Sequence, residues 1–179
     1  MDKKPALQTN RLLLELISES DGDFIIELVN TDGWLKFIGD RNIHSEIDAV
    51  AYIKKILDNQ NMIYWTVKLK DTKSTIGIIT LIKRDYLEQK DIGFAFLPDF
   101  SKKGYAYEAT NAVLNFLIQH NSFTDILAVT ISENNNSIKL LQKLGFRFET
   151  KMEIDNEALI IYSSSVDELL RAENLILSK

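Results

Sequence analysis

The chain has 179 residues, of which 45% are hydrophobic and 26% charged, a formal net charge of −5 and no cysteine. These values are typical of one globular domain, here residues 1–179, and argue against a disordered chain, a membrane-spanning protein or a general nucleic-acid binder. Without cysteine, disulfides, zinc-thiolate sites and an acyl-cysteine intermediate are excluded, and the isolated His44 and His120 predict no metal site.

Apolar periodicity, turn residues and capping patterns predict alternating strands and helices along the chain. The first elements in chain order are the strand Arg11–Leu16, a short helix capped by Asp21 or Asp23 and extending through Val29, and a helix from the Ser45–Asp48 capping box to about Asp58. The strands Tyr64–Leu69, Thr75–Lys83 and Lys90–Leu97 follow, and then a helix to about Asn121. The last elements are the strand Ile126–Ile131, the helix Asn135–Leu144, the strands Phe146–Met152 and Ala158–Ser163, and a C-terminal helix begun by the box Ser165–Glu168. We expect an α/β domain with a mixed sheet, helices on both faces and a central β-α-β unit.

The loop after Leu97 carries the most specific functional signal. Its sequence SKKGYA places two lysines and Gly104 directly before a helix. First-turn N–H groups lack partners within a helix, and glycine has no Cβ to obstruct an anion, so the loop predicts a pyrophosphate cradle. An ordinary strand-to-helix turn with solvated lysines is the alternative. Neither a P-loop nor a dinucleotide-binding glycine pattern occurs in the chain.

A second pattern, SENNNSIKLLQKLGF, follows the strand Ile126–Ile131. Its asparagines can cap a helix, its leucines can bury one side, and Gly145 permits a left-handed exit. A capped amphipathic helix without further role is the alternative. The two patterns resemble two signatures of the GNAT acetyltransferase superfamily. SKKGYA is similar to Q/R-x-x-G-x-G/A, with Ser101 at the position of Gln or Arg, and N-x-x-S-x-x-x-L-x-K-L-G-F is similar to the second block.

Further segments extend the resemblance over almost the whole chain. They look like the ribosomal-protein N-acetyltransferase (Rim-type) branch and read LQTNRLLLE, YWTVK, TIGIITL and DIGFAFLP. The resemblance implies a GNAT-like mixed, mostly antiparallel sheet. Its strands Ile92–Leu97 and Ile126–Ile131 should splay to form a central V, with helices on both faces.

The resemblance also implies acetyl-CoA as co-substrate and assigns its contacts. Backbone groups of Phe96 and Leu97 would pair with the pantetheine arm, and Asn134 would bond it from the other side. The pyrophosphate would be held by N–H groups of the loop and first helical turn, namely Lys102, Lys103, Gly104, Tyr105, Ala106 and Tyr107. Tyr107 departs from the small hydroxyl residue frequent in the branch, and Leu141 replaces the tyrosine acid of many members.

Acetyl transfer to an amine needs an oxyanion donor, a neutral nucleophile and a route for the thiolate. We expect the donor to be the backbone N–H of Leu97 or its neighbour. Asp91, where the branch often has glutamate, would act as base through a water; a solvated strand-end carboxylate is the alternative. Ser137 is the hydroxyl that could protonate the thiolate, and Glu108 is a rival base whose place looks structural. Trp34, in the loop-like TDGW segment, would face the acceptor.

The predicted function is therefore an acetyl-CoA-dependent N-acetyltransferase that moves an acetyl group directly to a primary amine. An α-amine of pKa ~7.7–8.0 is partly neutral near pH 7 whereas a lysine of pKa ~10.4 is not, which favours a protein N-terminal α-amine. The alternatives are a small-molecule enzyme acting on an aminoglycoside or polyamine, and a non-catalytic CoA-binding module. We expect a cytoplasmic monomer or homodimer without nucleic-acid or membrane partners, since MDKKPALQTN has no signal-peptide core.

Overall fold

An eight-stranded mixed sheet with helices on both faces organises the protein, seen in a computed structural model that describes residues 6–120, 122–154 and 156–177. The strands are β1 (Leu7–Gln8), β2 (Leu12–Leu16), β3 (Met62–Leu69), β4 (Thr75–Ile82), β5 (Asp91–Phe96), β6 (Asp125–Thr130), β7 (Arg147–Ile154) and β8 (Glu157–Ser165). The helices are α1 (Gly22–Val29), α2 (Asp32–Phe37), α3 (Glu46–Asp58), α4 (Tyr105–Gln119), α5 (Asn135–Leu144) and α6 (Val166–Leu177), with short 3₁₀ turns at Glu19–Asp21 and Pro98–Phe100.

The predicted elements are confirmed, apart from one segment and several boundaries. TDGW is not a loop but the start of α2, because the Thr31 hydroxyl caps the helix by accepting the Trp34 N–H at 3.3 Å. The two-residue β1 was missed. The helix α4 ends at Gln119, and its predicted end at Asn121 lies outside the described residues.

Two apolar cores lie on opposite faces of the sheet. On the face that we call the α4 face, α4, α5 and α6 contribute Val113, Leu141 and Leu169 to a core that includes Trp65 and Ile92. On the other face, which we call the α3 face, α1, α2 and α3 contribute a second core, whose members include Ile25, Trp34, Ile53, Tyr64 and Leu97. No helix in the described ranges has both the length and the apolar character needed to cross a membrane.

The sheet opens between β5 and β6. Strand order is β1-β2-β3-β4-β5-β6-β8-β7, and β5–β6 is its parallel pair. Their ladder contains the single residue pair Asp91–Leu127, next to a hydrogen bond from the Leu127 N–H to the Lys90 carbonyl at 3.0 Å. Beyond this pair the strands part and form a V-shaped slot, as predicted. The connection through α4 is the predicted β-α-β unit, and it brings the α4 N-terminus to the open end of the slot.

Candidate active site

The loop before α4 has the backbone shape of an anion cradle. Gly104 precedes the first helical residue, and its φ of 82° lies in the left-handed region that glycine adopts without strain. Lys102 is left-handed too, with a φ of 59°. The first bond within the helix runs from the Glu108 N–H to the Gly104 carbonyl at 3.0 Å. The earlier N–H groups of this turn, which include those of Tyr105 and Ala106, therefore point out of the helix end.

Glu108 and Arg11 hold this cradle against the sheet. Glu108 accepts hydrogen bonds from the Thr9 hydroxyl at 2.5 Å, the Arg11 backbone N–H at 3.0 Å and the Arg11 Nε at 2.7 Å. Arg11 Nη1 also donates to the Lys103 carbonyl at 3.1 Å, and its guanidinium carbon lies 4.4 Å from the centre of the Tyr105 ring. Glu108 is thus an anchor of the cradle and not a free base.

The Glu108 anchor should make stability depend on pH. Partial burial acts to raise the pKa of Glu108, but the hydrogen bonds from Thr9 and Arg11 outweigh it and lower that pKa. A carboxylate of lowered pKa stabilises the fold above its ordinary pKa, and this contribution is lost as pH falls through the lowered value. Glu108→Gln is therefore expected to reduce the free energy of unfolding by about 1–2 kcal/mol near neutral pH.

Urea unfolding of wild type and Glu108→Gln at a series of descending pH values measures this effect. The two free energies should converge in acid, where the wild type loses its ionised anchor. Glu27→Gln, at an exposed position of α1, is the control and should not change stability. A difference between wild type and Glu108→Gln that stays constant down to strongly acid pH would contradict the pH dependence.

A groove of about 670 Å³ runs along α4 from the cradle. Arg11 and Gln8 line one side, and Lys143 of α5 contributes to the other. The Lys143 Nζ lies 4.5 Å from the centre of the Tyr107 ring, so a cation stands beside the first turn of α4. The groove thus joins the predicted phosphate loop to a surface with polar and positively charged side chains.

Backbone hydrogen bonds decide which residues of β5 face the slot. The Leu97 N–H donates to the Ile76 carbonyl at 2.9 Å, on the β4 side. Because bonding direction alternates along an antiparallel pair, the peptide groups of Phe94 and Phe96 face the slot instead. The prediction that Leu97 supplies the oxyanion donor and a pantetheine contact is therefore wrong: its N–H is bonded within the sheet. The peptide of Phe96 faces the slot, as a pantetheine contact would require, and Phe94, which faces it too, was missed.

Asp91 begins β5 at the point where the slot opens. The residue is 2% exposed, and its two carboxylate oxygens accept hydrogen bonds from Arg84 Nε at 2.7 Å and Nη2 at 3.2 Å. The alternative of a solvated carboxylate is therefore wrong. Burial raises the pKa of Asp91, while the hydrogen bonds and charge of Arg84 oppose this rise. The two-pronged contact is the geometry of an ionised carboxylate, which can take up a proton.

Arg84 is the side chain that sequence reasoning missed; it lies between the predicted strands Thr75–Lys83 and Lys90–Leu97. Burial acts to lower the pKa of Arg84, but its hydrogen bonds to Asp91 and the charge of that carboxylate outweigh burial and raise the pKa. The contact follows from the register of the β4–β5 hairpin, which residue spacing alone does not determine. Ile82 pairs with Asp91 across β4 and β5, so the second residue after Ile82 lies just beyond the strand end and within reach of Asp91.

The first turn of α5 lies beyond the end of β6, on the opposite side of the slot. The Asn134 side-chain oxygen accepts the Ser137 backbone N–H at 3.1 Å and so caps the helix. This leaves the Asn134 amide nitrogen as the group that could donate to a pantetheine arm. Leu141, on the same side of α5 as Ser137, is buried in the α4-face core. Both predicted residues, Asn134 and Ser137, therefore lie together in this turn.

The predicted acceptor-side aromatic, Trp34, is part of the core. It is 6% exposed, and its Nε1 has no hydrogen-bond partner among the described residues. Tyr64, on the same α3 face, is buried as well; burial first, and then Tyr52, raise the pKa of Tyr64 far above its ordinary value. Tyr64 therefore stays protonated and cannot act as a base, whereas Asp91, on the same face, is a buried carboxylate beside the slot. No group of residues suited to a metal ion occurs within the described ranges.

Comparisons with known proteins agree with this geometry. The family described as "Acetyltransferase (GNAT) domain" matches residues 11–147. The uncharacterized N-acetyltransferase YoaA of Bacillus subtilis (strain 168) is 29% identical over 152 residues, which are 81% of this chain and 84% of YoaA.

Two solved structures from Vibrio share the fold. The ribosomal-protein-S5-alanine acetyltransferase of Vibrio fischeri has a TM-score of 0.77 at 20% identity, covering 92% of this chain and 98% of that one. The spermidine N-acetyltransferase of Vibrio cholerae, in complex with CoA and spermine, has a TM-score of 0.77 at 18% identity, covering 90% and 99%. With its signature loop at an exposed helix end and its sheet parted beside it, the chain belongs to the GNAT family of N-acetyltransferases.

Proposed function

We propose that this protein transfers an acetyl group from acetyl-CoA directly to a primary amine, with a protein N-terminal α-amine as the favoured acceptor. The observation that carries the proposal is the parting of β5 and β6 immediately beside the left-handed Gly104 and the α4 N-terminus. An extended pantetheine arm can pair with the slot-facing peptides of Phe94 and Phe96 as an added strand. A pyrophosphate then reaches the helix N-terminus.

The groove along α4 fits the nucleotide half of the same molecule. It begins at Gly104 and Tyr107, and Lys143 supplies a positive charge for a phosphate group. On the opposite face of the sheet, Asp91 and its Arg84 partner stand where an amine would approach the thioester. The donor and the acceptor would therefore meet in the slot from opposite faces.

An α-amine needs less help from a base than a lysine does. Its ordinary pKa of ~7.7–8.0 leaves about a tenth of it neutral near pH 7, against well under a thousandth of a lysine side chain. One buried carboxylate acting through water suffices for such an acceptor. The fold shared with the ribosomal-protein-S5-alanine acetyltransferase of Vibrio fischeri is consistent with this class.

A small polyamine is the second candidate acceptor. The net charge of −5 favours approach of a cation, and the fold is shared equally with the spermidine N-acetyltransferase of Vibrio cholerae. An aminoglycoside would share this charge complementarity. These acceptors differ from a peptide in shape and charge, so a single panel separates them.

The test is CoA release from acetyl-CoA with a panel of amines. The panel contains peptides beginning with Ala or Ser, the same peptides with a blocked α-amine and one free lysine, spermidine, and an aminoglycoside. We expect the free α-amine peptides to have the highest kcat/KM. Initial-velocity lines should intersect, because the chain has no cysteine to carry the acetyl group and we expect direct transfer in a ternary complex.

Three results would contradict the proposal. Acceptor-dependent CoA release that occurs with spermidine but not with α-amine peptides would move the function to the second candidate. CoA binding without release on any amine would indicate a non-catalytic CoA-binding module. Parallel initial-velocity lines, or acetyl trapped on the protein, would replace direct transfer by an acyl-serine route.

A further inference from the structure

Thr80 places a polar group in an apolar row of β4. Its neighbours on the α3 face of the strand are Ile78 and Ile82, both packed with the α3-face core. Thr80 is 9% exposed, and no hydrogen bond joins its hydroxyl to the protein within the described ranges. The hydroxyl is not one of the fully buried unpartnered atoms of that part of the chain, which are Trp34 Nε1 and Trp65 Nε1. The hydroxyl therefore keeps some access to solvent beside the slot, where it is free to bond to water or to a group supplied from outside the chain.

The hydroxyl leans from β4 over β5 at the start of the slot. Thr80 lies directly opposite Gly93, and a Cβ built on Gly93 would come within 2.6 Å of the Thr80 Oγ1. The hydroxyl therefore occupies the volume that a side chain at position 93 would take. Gly93 is two residues beyond Asp91, the last point at which β5 pairs with β6.

Asp91 and the Thr80 hydroxyl share the same face of the sheet. Side chains two residues apart on a strand lie on the same side and about 6–7 Å apart. The hydroxyl over Gly93 and the carboxylate of Asp91 are thus neighbouring polar groups on this face, and both can bond to water. Both groups lie on the α3 face, where the proposed function brings the amine.

We propose that Thr80 is a positioning residue whose hydroxyl, together with Asp91, holds the water and the acceptor amine at the thioester. This inference rests on the proposed function. A hydroxyl has one donor and two acceptor sites, so it can accept an N–H of the amine and still donate to the water. The isosteric apolar residue could not do either.

Each proton of the acetyl transfer has a destination. The acceptor ammonium gives one proton to the water, which passes one of its own protons to Asp91. The neutral amine attacks the thioester carbonyl, the C–N bond forms, and the C–S bond breaks as the tetrahedral intermediate collapses. The departing thiolate takes the second proton of the amine, giving free CoA and the amide, and Asp91 later returns its proton to solvent. Thr80 exchanges no proton but fixes the direction of the amine lone pair.

The test compares Thr80→Val with Thr80→Ser. Valine keeps the β-branched shape and removes only the hydroxyl, whereas serine keeps the hydroxyl. We expect Thr80→Val to lower kcat by about 10- to 100-fold, which is the effect of one strong hydrogen bond in the transition state. The KM for acetyl-CoA and the thermal midpoint should not change, and Thr80→Ser should recover most of kcat.

Thr66→Val is the matched control. Thr66 is buried in the neighbouring strand β3 and donates to the Glu15 carbonyl at 3.3 Å, away from the slot. The Thr66→Val substitution should lower the thermal midpoint more than it lowers kcat. Gly93→Ala adds a Cβ where the Thr80 hydroxyl lies, so it should reproduce the loss of kcat seen in Thr80→Val.

The outcomes separate this inference from the proposed function. An active wild type together with a fully active Thr80→Val would overturn the role of Thr80 and leave the proposed function standing. Equal losses in Thr80→Val and Thr80→Ser, with an unchanged thermal midpoint, would also overturn it, since the hydroxyl would then not be the cause. A wild type that acetylates no amine would instead refute the proposed function itself.

Discussion

Gly104→Val is expected to abolish acetyl-CoA binding by a protein that still folds. A valine would have to adopt the φ of 82° at the cradle, and its Cβ would stand 3.4 Å from Arg11 Nη2. The strained residue would turn the first-turn N–H groups away and fill the space of the phosphate. Losing two charge-assisted hydrogen bonds of about 1.5–3 kcal/mol each corresponds to at least about a 100-fold weaker affinity.

Gly39→Val is the matched control for backbone strain. Gly39 also has a left-handed φ, of 96°, and a Cβ there would meet only Arg41 Nη1 at 3.8 Å. Both variants carry the cost of a β-branched residue at positive φ, but only position 104 lies in the cradle. Calorimetric titration with acetyl-CoA and circular dichroism should show two folded variants, of which Gly39→Val binds normally. Undiminished affinity in a folded Gly104→Val would end the assignment of the cradle.

Asp91→Asn is expected to lower turnover by about 10²–10⁴-fold near neutral pH, the range of general-base catalysis. The loss should shrink as pH rises towards the pKa of the amine, because a neutral amine needs no base. The substitution would also leave the half-buried Arg84 without its charge partner, so the folded fraction of the variant is measured in parallel. A loss below about tenfold would count against the base.

Arg84→Gln separates a base from a structural ion pair. It breaks the same contact but keeps the carboxylate, and removal of the positive charge raises the pKa of Asp91 further. The acidic limb of the pH–rate profile should therefore move to higher pH in Arg84→Gln, whereas Asp91→Asn should delete that limb. If both variants lose the same turnover and both pH–rate profiles keep the wild-type shape, the Arg84–Asp91 ion pair contributes to stability and not to catalysis.

Helix caps and helix ends could be predicted from patterns that span only a few residues. The Ser45–Asp48 capping box forms as predicted, with the Asp48 N–H donating to the Ser45 hydroxyl at 3.2 Å. Gly145 adopts the left-handed conformation predicted for the helix exit, and Gly104, predicted only for its lack of a Cβ, is left-handed as well. These features depend on neighbours in the chain, so they can be predicted from residue type and spacing.

The predictions that failed concern contacts between segments that are separate in the sequence. Leu97 was assigned a free N–H because its strand register against Ile76 could not be known beforehand. Arg84 was missed because its carboxylate partner, Asp91, follows a turn. Trp34 was assigned to a loop because one hydroxyl, that of Thr31, decides whether the glycine-containing segment becomes helical. Pairing partners distant in space have no signature in local spacing.

The single ladder pair between β5 and β6 also has a mechanical consequence. It divides the sheet into a five-strand plate, β1 to β5, and a three-strand plate, β6, β8 and β7, that share one seam. A pantetheine arm lying in the slot would act as an extra strand that contacts both plates and links them while it is bound. Part of the binding free energy would then go into holding the two plates in a fixed relative position. Amide hydrogen exchange along β6 would measure this effect, because its amides should exchange more slowly when the slot is occupied.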